Sequence, residues 1–159
     1  MNLVILLIVK EEDEKYYHIY LNDNKEEIKR KNIKKNDKVR KIKIIIDSEI
    51  KSFYKLFYDF ECIESINFKK FLRNNITDMS SMFSGCSSLK ELNLNNFNTN
   101  NVTNMSSMFS GCSSLKELNL NNFNTNNVTY MSSMFVGCSD ELKKKIKTQY
   151  KNIRKEAFE

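Results

Sequence analysis

Apolar residues recur along this chain in three rhythms. Leu3 to Val9 is a continuous apolar run and predicts a buried strand; an acidic turn follows, and "KYYHIYLN" (Lys15 to Asn22) alternates as a second strand. From Met79 the rhythm changes. The letters "MSSMFSGCSSLKELNLNNFNTNNVT" run from Met79 to Thr103 and run again, unchanged, from Met105 to Thr129. Met79, Met105 and Met131 mark a period of 26. The third rhythm closes the chain: Leu142, Ile146, Tyr150 and Ile153 lie on one face of a predicted helix with Ser139 as its N-cap and Asp140 and Glu141 in its first turn.

Within one repeat, Leu89, Leu92 and Leu94 point inward while Glu91 and Asn93 alternate outward, which predicts a short strand. Val102, Met105, Met108 and Phe109 then fall on one face of a short helix, with Thr103 or Asn104 to cap it. Gly111 follows where a left-handed residue is wanted. All three glycines, Gly85, Gly111 and Gly137, occupy this one repeat position, so backbone geometry explains them better than a phosphate loop. Aligning backwards by 26 sets Phe53 under Met79, Phe57 under Phe83 and Ile66 under Leu92, so an older copy precedes the exact ones.

A strand plus a helical turn cannot bury its apolar face alone, whereas neighbouring copies can. The predicted fold is therefore an α/β repeat solenoid. Residues 1–49 form a β-rich N-terminal cap, 50–138 carry the repeats (50–75 degenerate, 76–101, 102–127 and a partial 128–138), and 139–159 form a C-terminal capping helix.

The spacing of Phe83, Cys86, Leu89, Leu92, Leu94 and Phe97 resembles a leucine-rich repeat. More narrowly, "NVTNMSSMFSGCSSLKELNLNNFNT" is similar to the 26-residue bacterial surface protein repeat, the BspA-like branch of that family, over about Ile50 to Ser139. The resemblance implies a short leucine-rich-repeat-like stack. It also implies a cell-surface or secreted protein used in adhesion and protein binding. In such a solenoid the outward strand residues line a concave face, here Ser65, Asn67, Lys69, Glu91, Asn93, Asn95, Glu117, Asn119 and Asn121. The expected function is a non-catalytic, adhesin-like interaction module for a protein partner of unknown identity. Its identical last two rows suit a repetitive contact in which weak interactions add. Two alternatives stand beside it: a structural or vestigial repeat fragment with no dedicated ligand, and a basic nucleic-acid-binding protein working through residues 25–43.

Charge narrows these readings. The formal net charge of +6 divides into +4 over residues 1–75, −1 over 76–138 and +3 over 139–159, so the repeats are nearly neutral. The basic run Lys25 to Lys43 also contains Glu26, Glu27 and Asp37 and has no interleaved aromatics for base stacking, which argues against nucleic acid. Leu3 to Val9 falls far short of the roughly 20 residues that span a bilayer. It has neither a basic segment before it nor a small-residue cleavage site, so a cytoplasmic location fits the sequence as well as export does.

Reactive side chains are few. Cys86, Cys112 and Cys138 recur at the period and are expected as buried free thiols; Cys62 is out of that register and expected to be more exposed. No Cys or His pair has zinc spacing, and the single His18 has no nucleophile beside it in sequence, so no metal, cofactor or enzymatic activity is expected. The repeat methionines are expected in the core. "NIT" at Asn75, "NVT" at Asn101 and Asn127 and "NMS" at Asn104 match glycosylation acceptors, but helix capping accounts for them.

Overall fold

A computed structural model describes residues 4–6, 15–21, 24–28, 32–34, 42–46, 50–68 and 75–159. The chain divides into two compact units, Met1–Ile50 and Lys51–Glu159.

The first unit contains two antiparallel strand pairs. β1 (Val4–Leu6) pairs with β3 (Asn32–Lys34), and β2 (Tyr17–Leu21) pairs with β4 (Ile42–Ile46), Ile19 opposite Ile44. The alternation in "KYYHIYLN" has its physical counterpart in β2, where Tyr17, Ile19 and Leu21 are buried and His18 and Tyr20 are partly exposed. The strand expected over Leu3 to Val9 is seen at Val4–Leu6; Leu3 and 7–9 lie outside the described residues.

In the second unit, β5 (Ser65–Asn67) pairs in parallel with β6 (Glu91–Asn93), Ser65 opposite Glu91 and Asn67 opposite Asn93. Single parallel bridges join Ser52 to Asp78, Asp78 to Asn104 and Asn104 to Tyr130, each step one repeat long. The predicted α/β repeat solenoid does not form. Among the described residues the strands occur only as two-stranded pairs, residues 117–119 of the third copy are not a strand, and no helix occurs within 76–138. Among the described residues there is accordingly no concave sheet.

The expected repeat helix fails for a physical reason. The N–H groups of Met105, Ser107, Phe109 and Gly111 donate to the carbonyls of Tyr130, Ser132, Met134 and Val136 in the next copy, at 2.9, 2.9, 3.0 and 2.7 Å. Groups that bond sideways are not available to an i→i−4 helical ladder. Between them the chain folds into tight turns, Met108 N–H bonding to Met105 C=O at 3.2 Å and Ser110 N–H to Ser107 C=O at 3.1 Å. Ser107 and Gly111 are left-handed, with φ of 55° and 74°, which breaks a right-handed helix every fourth residue. Asn104 caps no helix; its Oδ1 accepts from Ser106 N–H at 3.0 Å and sets the first turn. The apolar positions are nonetheless interior, Val102, Met105, Met108 and Phe109 all being fully buried.

Because every copy places its phenylalanine identically, the rings form a row. Phe57, Phe83, Phe109, Phe135 and Phe158 follow one another at centroid distances of 5.6, 5.7, 5.6 and 5.3 Å, with adjacent ring planes within 20° of parallel. The row ends on a residue outside the repeats. It is delivered by α1 (Asp140–Gln149), whose N-cap Ser139 accepts from Leu142 N–H and whose Leu142 and Ile146 are buried, and by a 3-10 turn at Lys155–Phe158. Tyr150 and Ile153, read from sequence as the helix's later turns, lie beyond its end.

Candidate interaction face

Of the outward residues expected from sequence, all but Lys69 lie among the described residues. Glu91, Asn93 and Asn95 of the second copy and Glu117 and Asn119 of the third line one open depression of about 340 Å³, together with Lys90, Leu92, Lys116 and Leu118. Asn121 is exposed just beyond it. Ser65 is exposed on β5 beside Glu91, and Asn67 takes its place in that strand opposite Asn93. Lys69 lies outside the described residues.

The depression exists because two identical rows are bonded at their ends and not across their middles. At one end Ser114 N–H reaches Ser87 C=O at 3.2 Å; at the other Asn119 Nδ2 donates to Asn95 Oδ1 at 3.2 Å. Between these ties the Lys-Glu-Leu-Asn segments of the two copies face the opening. The asparagines also hold their own loops, since Asn93 Oδ1 accepts from Asn95 N–H at 3.0 Å and Asn119 Oδ1 from Asn121 N–H at 2.9 Å. Their oxygens are therefore committed to the fold, whereas the exposed carboxylate of Glu91 stands clear.

A second cavity of about 270 Å³ shares Glu117, Leu118 and Asn119 with the first and is closed on its far side by Leu142, Lys145, Ile146, Gln149 and Tyr150. The Tyr150 hydroxyl accepts from Leu120 N–H at 3.1 Å, fixing the segment after α1 against the third copy. Lys145 lies 3.0 Å from Glu141 and 3.6 Å from Glu117; its hydrogen bond with Glu141 raises its pKa and lowers that of Glu141. Lys90 pairs with Glu64 at 2.9 Å. These pairs are exposed and contribute little to stability; they leave a face of mixed sign with no net bias. Sequence reasoning did not select Lys90, Lys116 or the α1 residues. The two lysines carried a signal, their recurrence at the period, but alternation alone gives no reason for a residue before the strand to face the opening.

The cysteines are all free, Cys86, Cys112 and Cys138 buried and Cys62 exposed. Each buried thiol donates to a phenylalanine carbonyl of the previous copy: Cys86 to Phe57 at 3.0 Å, Cys112 to Phe83 at 3.2 Å and Cys138 to Phe109 at 3.1 Å. Burial pushes Cys86 up to about 12 and Cys138 up to about 11, and raises Cys112 as well. They are protonated donors, not nucleophiles. His18 faces Glu27 at 3.4 Å. Among the described residues no His, Cys, Asp and Glu cluster could hold a metal ion, and no helix is long and apolar enough to cross a membrane. Much of the basic run 25–43 lies outside the described residues. At the acceptor-like tripeptides the polar groups join copies: Thr77 and Thr103 hydroxyls donate to Lys51 and Thr77 carbonyls at 3.3 and 3.2 Å, and Asn127 Nδ2 to Asn100 C=O at 2.6 Å.

Bonds that join each copy to the next, and the fourth copy to the segment after α1, run from Lys51 to Glu159. A family model described as "Mycoplasma protein of unknown function, DUF285" matches residues 51–157 of this stretch. The chain belongs to the DUF285 family. The DUF285 match takes in the repeats, α1 and most of the segment that follows it. No curated protein and no solved structure matches the chain.

Proposed function

We propose that the DUF285 unit is a non-catalytic protein-interaction module whose contact surface is the face carrying Glu91, Asn93, Asn95, Glu117, Asn119 and Asn121. One observation carries this reading: two rows of identical sequence leave an open depression between them, so a partner is offered the same Lys-Glu pair twice, at Lys90 and Glu91 and at Lys116 and Glu117. The face has no exposed aromatic anchor, which suits a contact built from many weak interactions better than a single tight one. By its resemblance to bacterial surface protein repeats, that contact is adhesin-like.

The test is capture of partners from the native host by the intact chain and by a Glu91→Ala, Glu117→Ala variant. Neither carboxylate turns a loop, so the variant keeps its fold. Loss of the captured proteins supports the face. Capture undiminished by the variant removes it.

A further inference from the structure

The edge of the fourth copy is filled by a segment that is not a repeat. In the third copy, Ser107 and Phe109 give their N–H groups to Ser132 and Met134 of the next. In the fourth, Ser133 N–H donates to Glu156 C=O at 2.8 Å and Phe135 N–H to Ala157 C=O at 2.7 Å. The Thr103 carbonyl accepts the N–H groups of Thr129 and Tyr130; the equivalent Thr129 carbonyl accepts from Arg154 Nη2 at 2.9 Å, and Val128 from Arg154 Nη1 at 2.8 Å. The Thr99 hydroxyl donates to Asn124 C=O, and Thr125 donates to Asn152 C=O at 3.2 Å. Phe158 lies on Phe135 as Phe135 lies on Phe109. Residues 150–159 share no register of sequence with a repeat, and three of their N–H groups bond within the segment, Ile153 to Tyr150 C=O, Ala157 to Arg154 C=O and Glu159 to Glu156 C=O. The edge is matched by a short peptide's chemistry and not by another copy.

We propose that this edge is a peptide-recognition site, held in cis by residues 150–159, which takes the same segment from a second copy of the chain when the cis segment is displaced. Its ligand is a peptide of the pattern Tyr-x-Asn-x-Arg-x-x-Ala-Phe. The guanidinium donates to the Thr129 carbonyl, where backbone N–H groups donate in the third copy, and to the Val128 carbonyl beside it; the fully buried Ala157 allows close approach, and the aromatic ring extends the phenylalanine row. The mode is main-chain addition to an open edge, with side chains selecting the peptide. In cis the segment competes at high effective concentration, so an outside peptide binds only when that competitor is weakened.

The experiment uses the full chain carrying Arg154→Ala and Phe158→Ala, and a fluorescein-labelled peptide of residues 150–159. The expected result is saturable binding by fluorescence anisotropy, at least tenfold tighter than to the unaltered chain. A peptide with the same two substitutions does not bind. A folded double variant that binds the peptide no better than the unaltered chain overturns the proposal. Should the double variant lose its cooperative melt, added peptide is expected to restore it, and failure to restore it overturns the proposal equally. Loss of partner capture at Glu91 and Glu117 does not move this readout, so the two sites stand or fall separately.

Discussion

The Cys112 thiol donates to the carbonyl of Phe83, 29 residues earlier, at 3.2 Å. A hydrogen bond from a deeply buried thiol ties the end of one copy's turns to the aromatic residue of the copy before it. The same bond recurs from Cys86 and Cys138, so the cysteines belong to the set of contacts that joins copies.

Those thiols predict a pH dependence. Their folded pKa is raised above the ordinary 9.0, to about 12 for Cys86 and about 11 for Cys138. The unfolded chain therefore loses these protons first as pH rises. The resulting stabilisation of the thiol form is complete below pH 9 and is lost progressively between about 9 and 12. Thermal melts from pH 8 to 11 are expected to fall more steeply for the natural chain than for a Cys86→Ala, Cys138→Ala variant. At neutral pH a thiol reagent is expected to label Cys62 alone until the chain is unfolded.

Left-handed backbone predicts opposite effects at neighbouring positions. Ser107 has φ of 55° without being glycine; the left-handed conformation costs an L-residue about 1–2 kcal/mol, more than the roughly 0.5–1 kcal/mol of chain entropy glycine loses, so Ser107→Gly is expected to stabilise by about 0.5–1 kcal/mol. Gly111→Val places a β-branched residue at φ of 74°, with an added Cβ 3.3 Å from the Gly85 nitrogen, and is expected to cost about 1–3 kcal/mol. Denaturant midpoints of the two variants are expected to move in opposite directions.

The turn at Asn104 predicts which replacements are tolerated. Asp78 holds the equivalent position and accepts from Ser80 N–H at 2.9 Å, as Asn104 does from Ser106. Asn104→Asp is expected to leave the melting temperature nearly unchanged. Asn104→Ala, which leaves the Ser106 N–H unpaired, is expected to cost about 1 kcal/mol.

The phenylalanine row predicts the largest loss. Phe109 is fully buried between Phe83 and Phe135, and Phe109→Ala is expected to cost about 3–5 kcal/mol through lost burial and the cavity left behind. A urea melt checks it directly.

The period of 26, the interior methionines and phenylalanines, the left-handed glycines and the Ser139-capped helix were all legible from letters, because burial, φ and capping each favour particular residue types at fixed spacing. The conformation of "VTNMSSMFSGC" was not. Apolar residues at Met105, Met108 and Phe109 suit a helical face and a run of tight turns equally, and the choice is made by N–H groups that bond to a copy 25 residues away. The strand at "ELN" shows the same limit: identical letters form β6 in the second copy and no strand in the third. The outward positions of the candidate face were readable from alternation. The opening between its rows was not, since it depends on how two copies sit against each other.

Photo-cross-linking tests the interaction face most directly. A photoreactive amino acid is placed at position 91, 117 or 155 of the full chain in its native host, Lys155 being an exposed control on the segment after α1. The same cross-linked protein from positions 91 and 117, absent from 155, is the predicted result. No adduct at 91 or 117, or an identical adduct from 155, contradicts the account.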